Sequence, residues 1–327
     1  MAVYLGGNEV GFNTTHGGIV PSGTSTITEN GIYDITNFAS VDVNISGGSG
    51  DTSMEDGIIN RSISGIYENS RVTSVGSYVF YSYLSLTAVS FPNATSIGDS
   101  AFCSCTNLTT INFPNVTSIG SYAFDYCTNL TTVSFPNVTL IGSSAFYNCL
   151  SLSTINFPNA TSIGNCAFFC CSSLTTVSFP NVTLIGSNAF YNCLSLTTIS
   201  FPSATSIGSN TFGYCENLTT ANFPNATSIG SFAFHYCSRL TTVSFPAAET
   251  IYSTAFFSCK RLMSIYLLGS SIPLLVSISA FYSTPISNST YTGSFGSIYV
   301  PASLVNAYKS AANWSKYANR ITAYEGE

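Results

Sequence analysis

The sequence predicts a repeat solenoid of about nine stacked coils, with a parallel β-sheet on one face and short strands or 3₁₀ turns on the other. The first observation is a 22-residue unit: residues 108–129 read LTTINFPNVTSIGSYAFDYCTN and residues 130–151 read LTTVSFPNVTLIGSSAFYNCLS. The second is a leucine that returns every 22 residues from Leu86 to Leu262 without an insertion. A strict short period is typical of units that bury their apolar faces only by stacking on their neighbours.

Four segments follow from this pattern. Residues 1–45 hold alternating β-forming residues around the turn signal Asn30-Gly31, which predicts a small all-β module. Residues 46–53, SGGSGDTS, are typical of a flexible linker. Residues 54–285 are predicted to form the solenoid, beginning with an incomplete coil that serves as its N-terminal cap. Residues 286–327 are predicted to cap the other end, because open solenoid ends expose core and strand edges.

Each unit is predicted to begin with a short strand. In the unit that starts at Leu108, the side chains of Leu108, Ile111 and Phe113 face inward, while Thr110 and Asn112 face solvent, as the two-residue period of a strand requires. A proline follows each strand and ends it, because proline has no N–H to donate to a ladder.

The rest of the unit is predicted to turn back towards the next strand. Val116 and Ile119 form a second inward pair, and Gly120 is expected to permit a turn. The segment from Ala123 to Cys127 fits one short helical or 3₁₀ turn, since its ends are four residues apart. The phenylalanine of this segment recurs in every unit and predicts an aromatic stack along the core. Its members are Phe102, Phe124, Phe146, Phe168, Phe190, Phe212, Phe234 and Phe256.

The C-terminal segment predicts a strand at 297–300 and a helix spanning about 302–312. Leu304, Val305 and Tyr308 would share one face of that helix. The only tryptophan, Trp314, is interpreted as a packed residue of this cap.

Eight of the eleven cysteines occupy one repeat position, from Cys105 to Cys259. Stacked coils lie about 4.8 Å apart, and side chains that point the same way keep their Cβ atoms near that distance. A disulfide needs a Cβ separation of roughly 3.5–4.5 Å. The spacing therefore favours a column of buried, reduced thiols that fill space. Four convergent ligands are not evident among the remaining cysteines, so no zinc site or other cofactor is predicted.

The composition excludes several functions. Only 7% of the residues are charged, against about 25% in typical domains, and no Lys or Arg occurs between Arg71 and Arg239. Such a body has no basic face for nucleic acid or for anionic membranes. No apolar run approaches the roughly 18 residues that span a bilayer, and the first residues do not resemble a secretory signal. The two histidines, His16 and His235, belong to no catalytic pattern, and we expect the protein not to be an enzyme.

The unit Leu-x-x-Ile-x-Phe-Pro-x-x-(Val/Ala)-Thr-x-Ile-Gly-x-x-Ala-Phe-x-x-Cys resembles the BspA-type leucine-rich repeat of bacterial surface proteins, some protists and phage-encoded proteins. The resemblance covers about two thirds of the chain, and the tail also resembles the terminal segment of such proteins. It implies a solenoid that serves adhesion or recognition rather than catalysis. A second resemblance concerns ITENGIYDITNFASVDV in residues 1–45, which is similar to short β modules in phage and prophage tail proteins.

Two surfaces are candidates for binding. On the strand face, hydroxyl and amide side chains form columns that could contact a ligand or could simply suit a solvated strand. The candidates there are Thr110, Asn112, Thr132, Thr154, Asn156 and Thr176.

The second surface consists of the two positions before each column cysteine, where the internal copies differ most. We expect these positions to be exposed or half-exposed, and aromatic rings there could stack on sugars, contact proteins or merely cover the coil edges. The candidates are Tyr126, Tyr147, Phe169, Tyr191, Tyr214, His235, Tyr236 and Phe257.

These observations favour a non-enzymatic recognition or adhesion protein on a phage particle or cell surface, binding a host glycan or protein. Residues 1–45 could dock it to other virion proteins. The alternatives are a structural spacer of a virion or surface appendage, a secreted bacterial adhesin and, more remotely, an ice- or crystal-binding surface. The expected location is extracellular or virion-associated, without nucleic-acid binding or membrane insertion.

Overall fold

The computed structural model describes residues 72–287 and 295–326, and it also describes the backbone of three short strands before them. Val3–Leu5 and Asn8–Val10 form an antiparallel pair, and Gly65–Glu68 pairs in parallel with the first strand of the solenoid. The predicted all-β module at 1–45 otherwise lies outside the described residues. The linker at 46–53 lies outside them entirely.

A front ladder of parallel strands runs along one face, as the period predicted. In Thr132–Ser134 the central valine is buried and its two neighbours are exposed. Thr132 pairs in register with Thr154, so equivalent residues of successive coils lie side by side. Residues 176–178 join this ladder only through bridges from Thr176 to both neighbouring coils. The front strands are Leu86–Ser90, Thr110–Asn112, Thr132–Ser134, Thr154–Asn156, Thr198–Ser200, Thr220–Asn222, Thr242–Ser244, Ser264–Tyr266, Ser297–Val300 and Ile321–Ala323.

A second parallel sheet, the side ladder, has nine strands of two residues each. The inward residue of each strand, isoleucine in eight strands and Leu275 in the last, is buried, as Ile119 and Ile141 show, which confirms the predicted second apolar pair. Short strands away from the front face were predicted, and the structure confirms them; their pairing into one sheet was not predicted. Its strands are Ser96–Ile97, Ser118–Ile119, Leu140–Ile141, Ser162–Ile163, Leu184–Ile185, Ser206–Ile207, Ser228–Ile229, Thr250–Ile251 and Leu274–Leu275.

Two columns of phenylalanine fill the core between the ladders. In the predicted column, from Phe102 to Phe256, successive ring centroids are 5.2–5.5 Å apart and the ring planes deviate by 0–17°. A parallel column runs through the strand-ending phenylalanines, with Phe113 and Phe135 6.1 Å apart. The columns touch each other at tilted angles, as Phe124 and Phe135 do at 6.2 Å. Burying each ring contributes about 1.5–3 kcal/mol, so the stack stabilises the rod coil by coil.

The segment predicted as a helical turn consists of tight turns. The N–H of Asp125 donates to Tyr122 O and that of Cys127 donates to Phe124 O, which are the bonds of a 3₁₀ turn. The backbone is left-handed at Tyr122 (φ 58°) and Tyr126 (φ 56°), so no helix continues there. This geometry points the N–H of Tyr122 at Ser143 O and that of Tyr126 at Tyr147 O in the next coil. Among the coils within residues 72–287, a helical segment occurs only near the C-terminal end, as the 3₁₀ helix Ile278–Phe281.

The repeat glycines have a role different from the expected one. Gly120 and Gly142 have no positive φ, so they are not needed for a left-handed turn. A Cβ on Gly142 would lie 2.5 Å from the carbonyl carbon of Gly120 in the preceding coil. Glycine is therefore required because the backbones of adjacent coils approach each other closely at this corner.

The cysteine column is confirmed as buried free thiols, since Cys105 to Cys259 are all buried and unbridged. Each thiol also donates a hydrogen bond to the carbonyl of the phenylalanine 25 residues earlier. Cys149 Sγ, for example, lies 3.2 Å from Phe124 O. The column therefore binds adjacent coils together as well as filling space.

Polar side chains add further ladders between the coils. Asn115 Nδ2 donates to Pro92 O at 2.8 Å, and Asn137 Nδ2 donates to Pro114 O at 2.9 Å. The hydroxyl of Thr117 likewise donates to Thr95 O at 3.1 Å. The repeated Asn-x-Thr triplets thus satisfy backbone carbonyls at the coil corners.

The C-terminal cap is built around buried aromatic residues. The strand Ser297–Val300 is as predicted, but the helix is shorter than 302–312, because a 3₁₀ turn Ala302–Leu304 leads into an α-helix limited to Val305–Ser310. A 3₁₀ segment Trp314–Arg320 follows. Trp314 is buried and its Nε1 donates to Pro273 O at 2.8 Å, which confirms it as a cap residue. Leu304 and Val305 are half-buried beside the buried Tyr308.

Candidate functional site: an aromatic ridge

Seven aromatic side chains and one histidine form a continuous surface feature, the aromatic ridge. Tyr147, Phe169 and Tyr191 stack face to face, with centroids 4.7 and 4.9 Å apart and planes within 7°. The stack continues from Tyr191 to Tyr214 at 5.4 Å. The ridge comprises Tyr126, Tyr147, Phe169, Tyr191, Tyr214, His235, Tyr236 and Phe257, and the structure brings all of these predicted residues together.

The ridge presents mainly ring edges to solvent. Rings that stack in parallel cover each other's faces, so Tyr147, Phe169 and Tyr191 are half-buried and expose edges. Tyr126 and Tyr236 differ, since they are 47% and 38% exposed. A sugar needs an open ring face to stack on, whereas ring edges and phenol hydroxyls suit the packed surface of a protein.

The expected exposure of His235 is wrong. Its side chain is only 7% exposed and lies against Gly213, where an added Cβ would be 2.3 Å from the imidazole Cε1. Because Gly213 has no side chain, the imidazole occupies the vacant position in the ridge. Its ring contacts Tyr191, Tyr214, Phe232 and Tyr236.

The buried imidazole has one specific hydrogen bond. Nδ1 of His235 lies 2.6 Å from Phe232 O, so Nδ1 carries the proton and donates it. Burial lowers the pKa of His235, because the charged form loses its hydration, and the bond to Phe232 only partly offsets this. His235 is therefore neutral at physiological pH and fills the ridge rather than adding charge.

A carboxyl group marks the N-terminal end of the ridge. Asp125 precedes Tyr147 in the same repeat column, and its Oδ2 accepts a weak bond from Cys103 Sγ at 3.7 Å. Its Oδ1 is buried without a hydrogen-bond partner. Burial raises the pKa of Asp125 to about 6. Burial likewise raises the pKa of Cys103 to about 11, so this thiol is protonated and unreactive at neutral pH.

Sequence reasoning missed several exposed aromatic residues beside the ridge. Tyr122 and Phe232 are largely exposed, and both have left-handed backbones. They share a repeat position with Ser100, Ser144 and residues of other types, so variation among the copies could have revealed them. Tyr78 and Tyr81 are also exposed in the first described coil, and their rings lie 6.1 Å apart.

The strand-face candidates are exposed as predicted. Two neighbouring positions at the start of these strands, which hold threonine in most coils, have different roles. Thr109 donates its hydroxyl to Thr87 O in the preceding coil, at 3.0 Å. The hydroxyls of Thr132, Thr154 and Thr176 make no hydrogen bond to any residue of the described part. Asn112 and Asn156 bond sideways to Ser90 and Ser134, at 3.0 and 3.4 Å.

The described residues provide no metal-binding constellation, since no three His, Cys, Asp or Glu side chains among them converge. None of the helices in residues 72–287 and 295–326 has the length and apolar character that crossing a bilayer requires.

Comparison with known proteins places the repeat in a family. Residues 55–172, 95–205, 139–263 and 183–302 match the family described as BspA type leucine rich repeat region (6 copies). No curated protein matches the chain.

Solved structures with a similar fold come from several bacteria. A leucine rich cell surface protein from Faecalibacterium prausnitzii is 22% identical, with 100% of this chain and 99% of that chain covered and a TM-score of 0.45. A leucine-rich repeat protein from Bacteroides ovatus is 18% identical, with 80% and 92% covered and a TM-score of 0.43. The leucine rich repeat protein of T. pallidum is 26% identical, with 55% and 78% covered and a TM-score of 0.40. The family match spans well over half of the 327 residues, and the chain therefore belongs to the BspA-type leucine-rich repeat family.

Proposed function

We propose that this chain is a non-enzymatic recognition protein that acts at a cell surface or outside the cell and binds a partner protein through the aromatic ridge. Proteins built from this repeat are typically binding scaffolds, and their general association with protein binding and adhesion supports the proposal. The observation that carries it is the unbroken row of aromatic edges from Tyr126 to Phe257 on a nearly uncharged surface.

Leaving these rings in contact with water is unfavourable, and a partner protein that covers them would recover that free energy. Tyrosine is enriched in protein interfaces because it offers a large apolar contact area together with a hydroxyl that can donate a hydrogen bond. Tyr126 and Tyr236 also have left-handed backbones, which are unfavourable for bulky residues. Equivalent positions in other coils hold Asn148 and Asn192, which tolerate this backbone better. Tyr126 contacts Tyr147 and Tyr236 stacks on Tyr214, yet 47% of Tyr126 and 38% of Tyr236 remain exposed, so each leaves ring surface that a partner would cover.

Paired substitutions on two surfaces test this proposal. Tyr147→Ala/Tyr191→Ala removes two rings of the ridge, and Leu140→Ser/Leu184→Ser is the matched control. The two leucines are also two coils apart and are each 53% exposed, but they lie on the side ladder. Arrays of extracellular proteins and of glycans are probed with the wild-type chain and with both variants.

We expect the wild-type chain to bind at least one array protein, and the ridge variant to lose that binding while the leucine variant keeps it. Retention of binding by the ridge variant, or an equal loss in the leucine variant, would contradict the ridge as the site. Binding to glycans alone would show that sugar stacking on Tyr126 or Tyr236 is the correct function.

We also propose that the protein is displayed on a phage particle. The resemblance of residues 1–45 to phage tail modules supports display on a phage particle, with the solenoid projecting outward. Full-length chain that sediments with particles from an induced lysogen would support this proposal. Sedimentation that persists in a variant lacking residues 1–45 would contradict docking through that segment.

A further inference from the structure

We infer that three exposed basic residues near the C-terminal end of the solenoid form a second site, which binds a linear acidic polysaccharide. Arg239, Lys260 and Arg261, the basic corner, are all exposed. They lie where the chain enters the front strands of two adjacent coils. Arg239 and Lys260 follow the ridge residues Tyr236 and Phe257 by three positions, but the corner contains none of the ridge residues, and the inference does not depend on the function proposed for the ridge.

The repeat register brings the two arginines together. Arg239 and Arg261 occupy the same position in adjacent coils, directly before Leu240 and Leu262. The following strands, Thr242–Ser244 and Ser264–Tyr266, pair in parallel and in register. Adjacent parallel strands are about 4.8 Å apart, so the two guanidinium groups emerge side by side.

No interaction within the described chain compensates these charges. Neither arginine nor Lys260 forms a hydrogen bond, ion pair or ring contact with any residue in 72–287 or 295–326. Glu216 lies one coil before Arg239, is exposed, and makes no ion pair with it. By contrast, the guanidinium of Arg320 packs on the ring of Phe295 at 3.6 Å. Like charges placed side by side on adjacent strands are destabilising.

The arginines also replace a residue that stabilises the stack. In earlier coils this position holds Asn107, whose Nδ2 donates to Leu84 O at 2.7 Å, and Asn217, whose Nδ2 donates to Leu194 O at 2.8 Å. Arginine at this position gives up that inter-coil bond and adds charge repulsion. A residue that departs from the pattern of the other coils and makes no stabilising contact within the fold is expected at a functional site.

The ligand class follows from the chemistry of the corner. Guanidinium groups bind carboxylate and sulfate groups in a bidentate manner, so the ligand is anionic. The column continues away from the arginines with Ser151, Ser173, Ser195 and Asn217, which are neutral hydrogen-bonding residues. Charged groups in line with hydroxyl and amide groups match an acidic polysaccharide that lies along the solenoid axis. A membrane surface is a weaker match, because each basic residue contributes only about 1 kcal/mol to the free energy of binding an anionic bilayer and the corner has three.

The test uses the full chain and the variant Arg239→Asn/Arg261→Asn, which places at both positions the asparagine found in three other coils as Asn107, Asn129 and Asn217. A control, Lys309→Gln/Lys316→Gln, removes the same charge from two exposed residues of the cap. Affinity is measured for heparin as a sulfated polysaccharide and polygalacturonate as a carboxylated one. The comparison probes are dextran, polyglutamate and phosphatidylserine vesicles. Thermal unfolding confirms that both variants fold.

We expect heparin or polygalacturonate to bind in a salt-sensitive manner, with affinity at least about tenfold weaker in the arginine variant and nearly unchanged in the lysine variant. The arginine variant should unfold at the same temperature as the wild type or higher. Equal losses in both variants would overturn the inference, since they would indicate diffuse attraction by net charge. Absence of binding to either acidic polysaccharide would also overturn it, as would equal binding to dextran or tighter binding to polyglutamate or vesicles.

Discussion

Among single residues, Asp125 is the one whose side chain fits its surroundings least well, because an ionisable carboxyl group is half-buried there. Its column holds Cys103 in the preceding coil and the rings of Tyr147 and Phe169 in the following ones. The carboxyl group therefore lies in surroundings that suit a neutral side chain. Burial raises its pKa to about 6, and one oxygen has no hydrogen-bond partner. Such a group favours the folded state only when it is protonated.

The substitution Asp125→Asn should therefore stabilise the protein at neutral pH. Because the folded-state pKa is raised from the ordinary value near 3.8, the aspartate's contribution to the unfolding free energy is fully present below pH 3.8 and is lost as the pH rises through 6. Asparagine does not ionise, so we expect it to add about 1 kcal/mol at pH 7.5, after allowance for solvent screening, and little at pH 4. Urea unfolding at the two pH values measures the difference.

The matched control is Asp99→Asn in the preceding coil. Asp99 is exposed, and its Oδ1 accepts the N–H of Ser121 at 2.7 Å, so the loss of its charge should bring no gain at pH 7.5. A decrease in stability of Asp125→Asn at pH 7.5 would mean that the carboxylate is better solvated than its burial implies.

Tyr126 supplies a second prediction at this scale. Asparagine at the same repeat position in Asn148 and Asn192 has the same left-handed backbone. We expect Tyr126→Asn to leave the free energy of unfolding unchanged or to raise it by up to about 1 kcal/mol, because a bulky residue is strained there. Chemical denaturation checks this, with Tyr147→Asn as the control that loses a stacked ring and should be less stable. A clear loss of stability in Tyr126→Asn would assign this ring to the fold rather than to recognition.

At the scale of the coil, the sequence was most informative where the period repeats without interruption. The recurrence of Leu108, Ile111 and Phe113 was enough to predict the front ladder and its inward face. Short strands away from the front face were predicted, but their pairing into one side ladder was not, because two-residue strands such as Ser118–Ile119 are too short to show alternation. The helix at 302–312 was predicted too long, since apolar spacing alone does not reveal that Ala311 is extended.

The candidate site was predictable in its residues but not in its geometry. Variation among the copies identified aromatic residues that the structure brings together, and their role in binding stays a prediction. That Tyr147, Phe169 and Tyr191 hide each other's faces depends on the distance between coils and on side-chain rotamers, which a single sequence does not specify. His235 is buried because Gly213 leaves a gap one coil earlier, and this relationship appears only when the two coils are stacked.

The close approach of adjacent coils at Gly142 predicts that a larger residue there is destabilising. In Gly142→Ala the new Cβ would lie 2.5 Å from Gly120 C, and because both atoms belong to backbone or Cβ, no side chain can rotate away. The coils must separate locally, at a cost of roughly 1–3 kcal/mol, the usual penalty of overpacking. Denaturant unfolding measures it, with Ser143→Ala as the neighbouring control. An unchanged midpoint in Gly142→Ala would mean that the coils are farther apart at this corner.

At the scale of the whole molecule, the rod combines a nearly uncharged body with a basic C-terminal end. From residue 72 to 238 there is no Lys or Arg, whereas six basic residues follow from Arg239 onward. Stability in the body therefore comes from stacked rings, thiols and hydrogen-bond ladders rather than from ion pairs. The same kinds of contact recur from coil to coil, so an effect found at one repeat position adds up along the rod.

The thiol column makes this collective behaviour measurable. Burial raises the pKa of Cys105 to about 12 and raises the pKa of Cys127, Cys149 and Cys193 well above the ordinary 9.0. The folded chain keeps these protons above pH 9, while the unfolded chain releases them. The stabilisation is therefore complete below pH 9 and is lost as the pH rises towards 12, with each thiol contributing up to about 1.4 kcal/mol per pH unit.

We therefore expect the free energy of unfolding to fall steeply between pH 9 and 11, and to fall less steeply in Cys149→Ser/Cys193→Ser. Serine keeps a hydrogen-bond donor for the carbonyls of Phe124 and Phe168 but does not ionise in this pH range. The substitution therefore removes only the contribution of thiol ionisation to the unfolding free energy. Tyrosine ionisation affects both proteins alike and cancels in the comparison. Equal slopes for wild type and variant would mean that the buried sulfurs ionise in the folded state. The core between the coils would then not be dry and continuous.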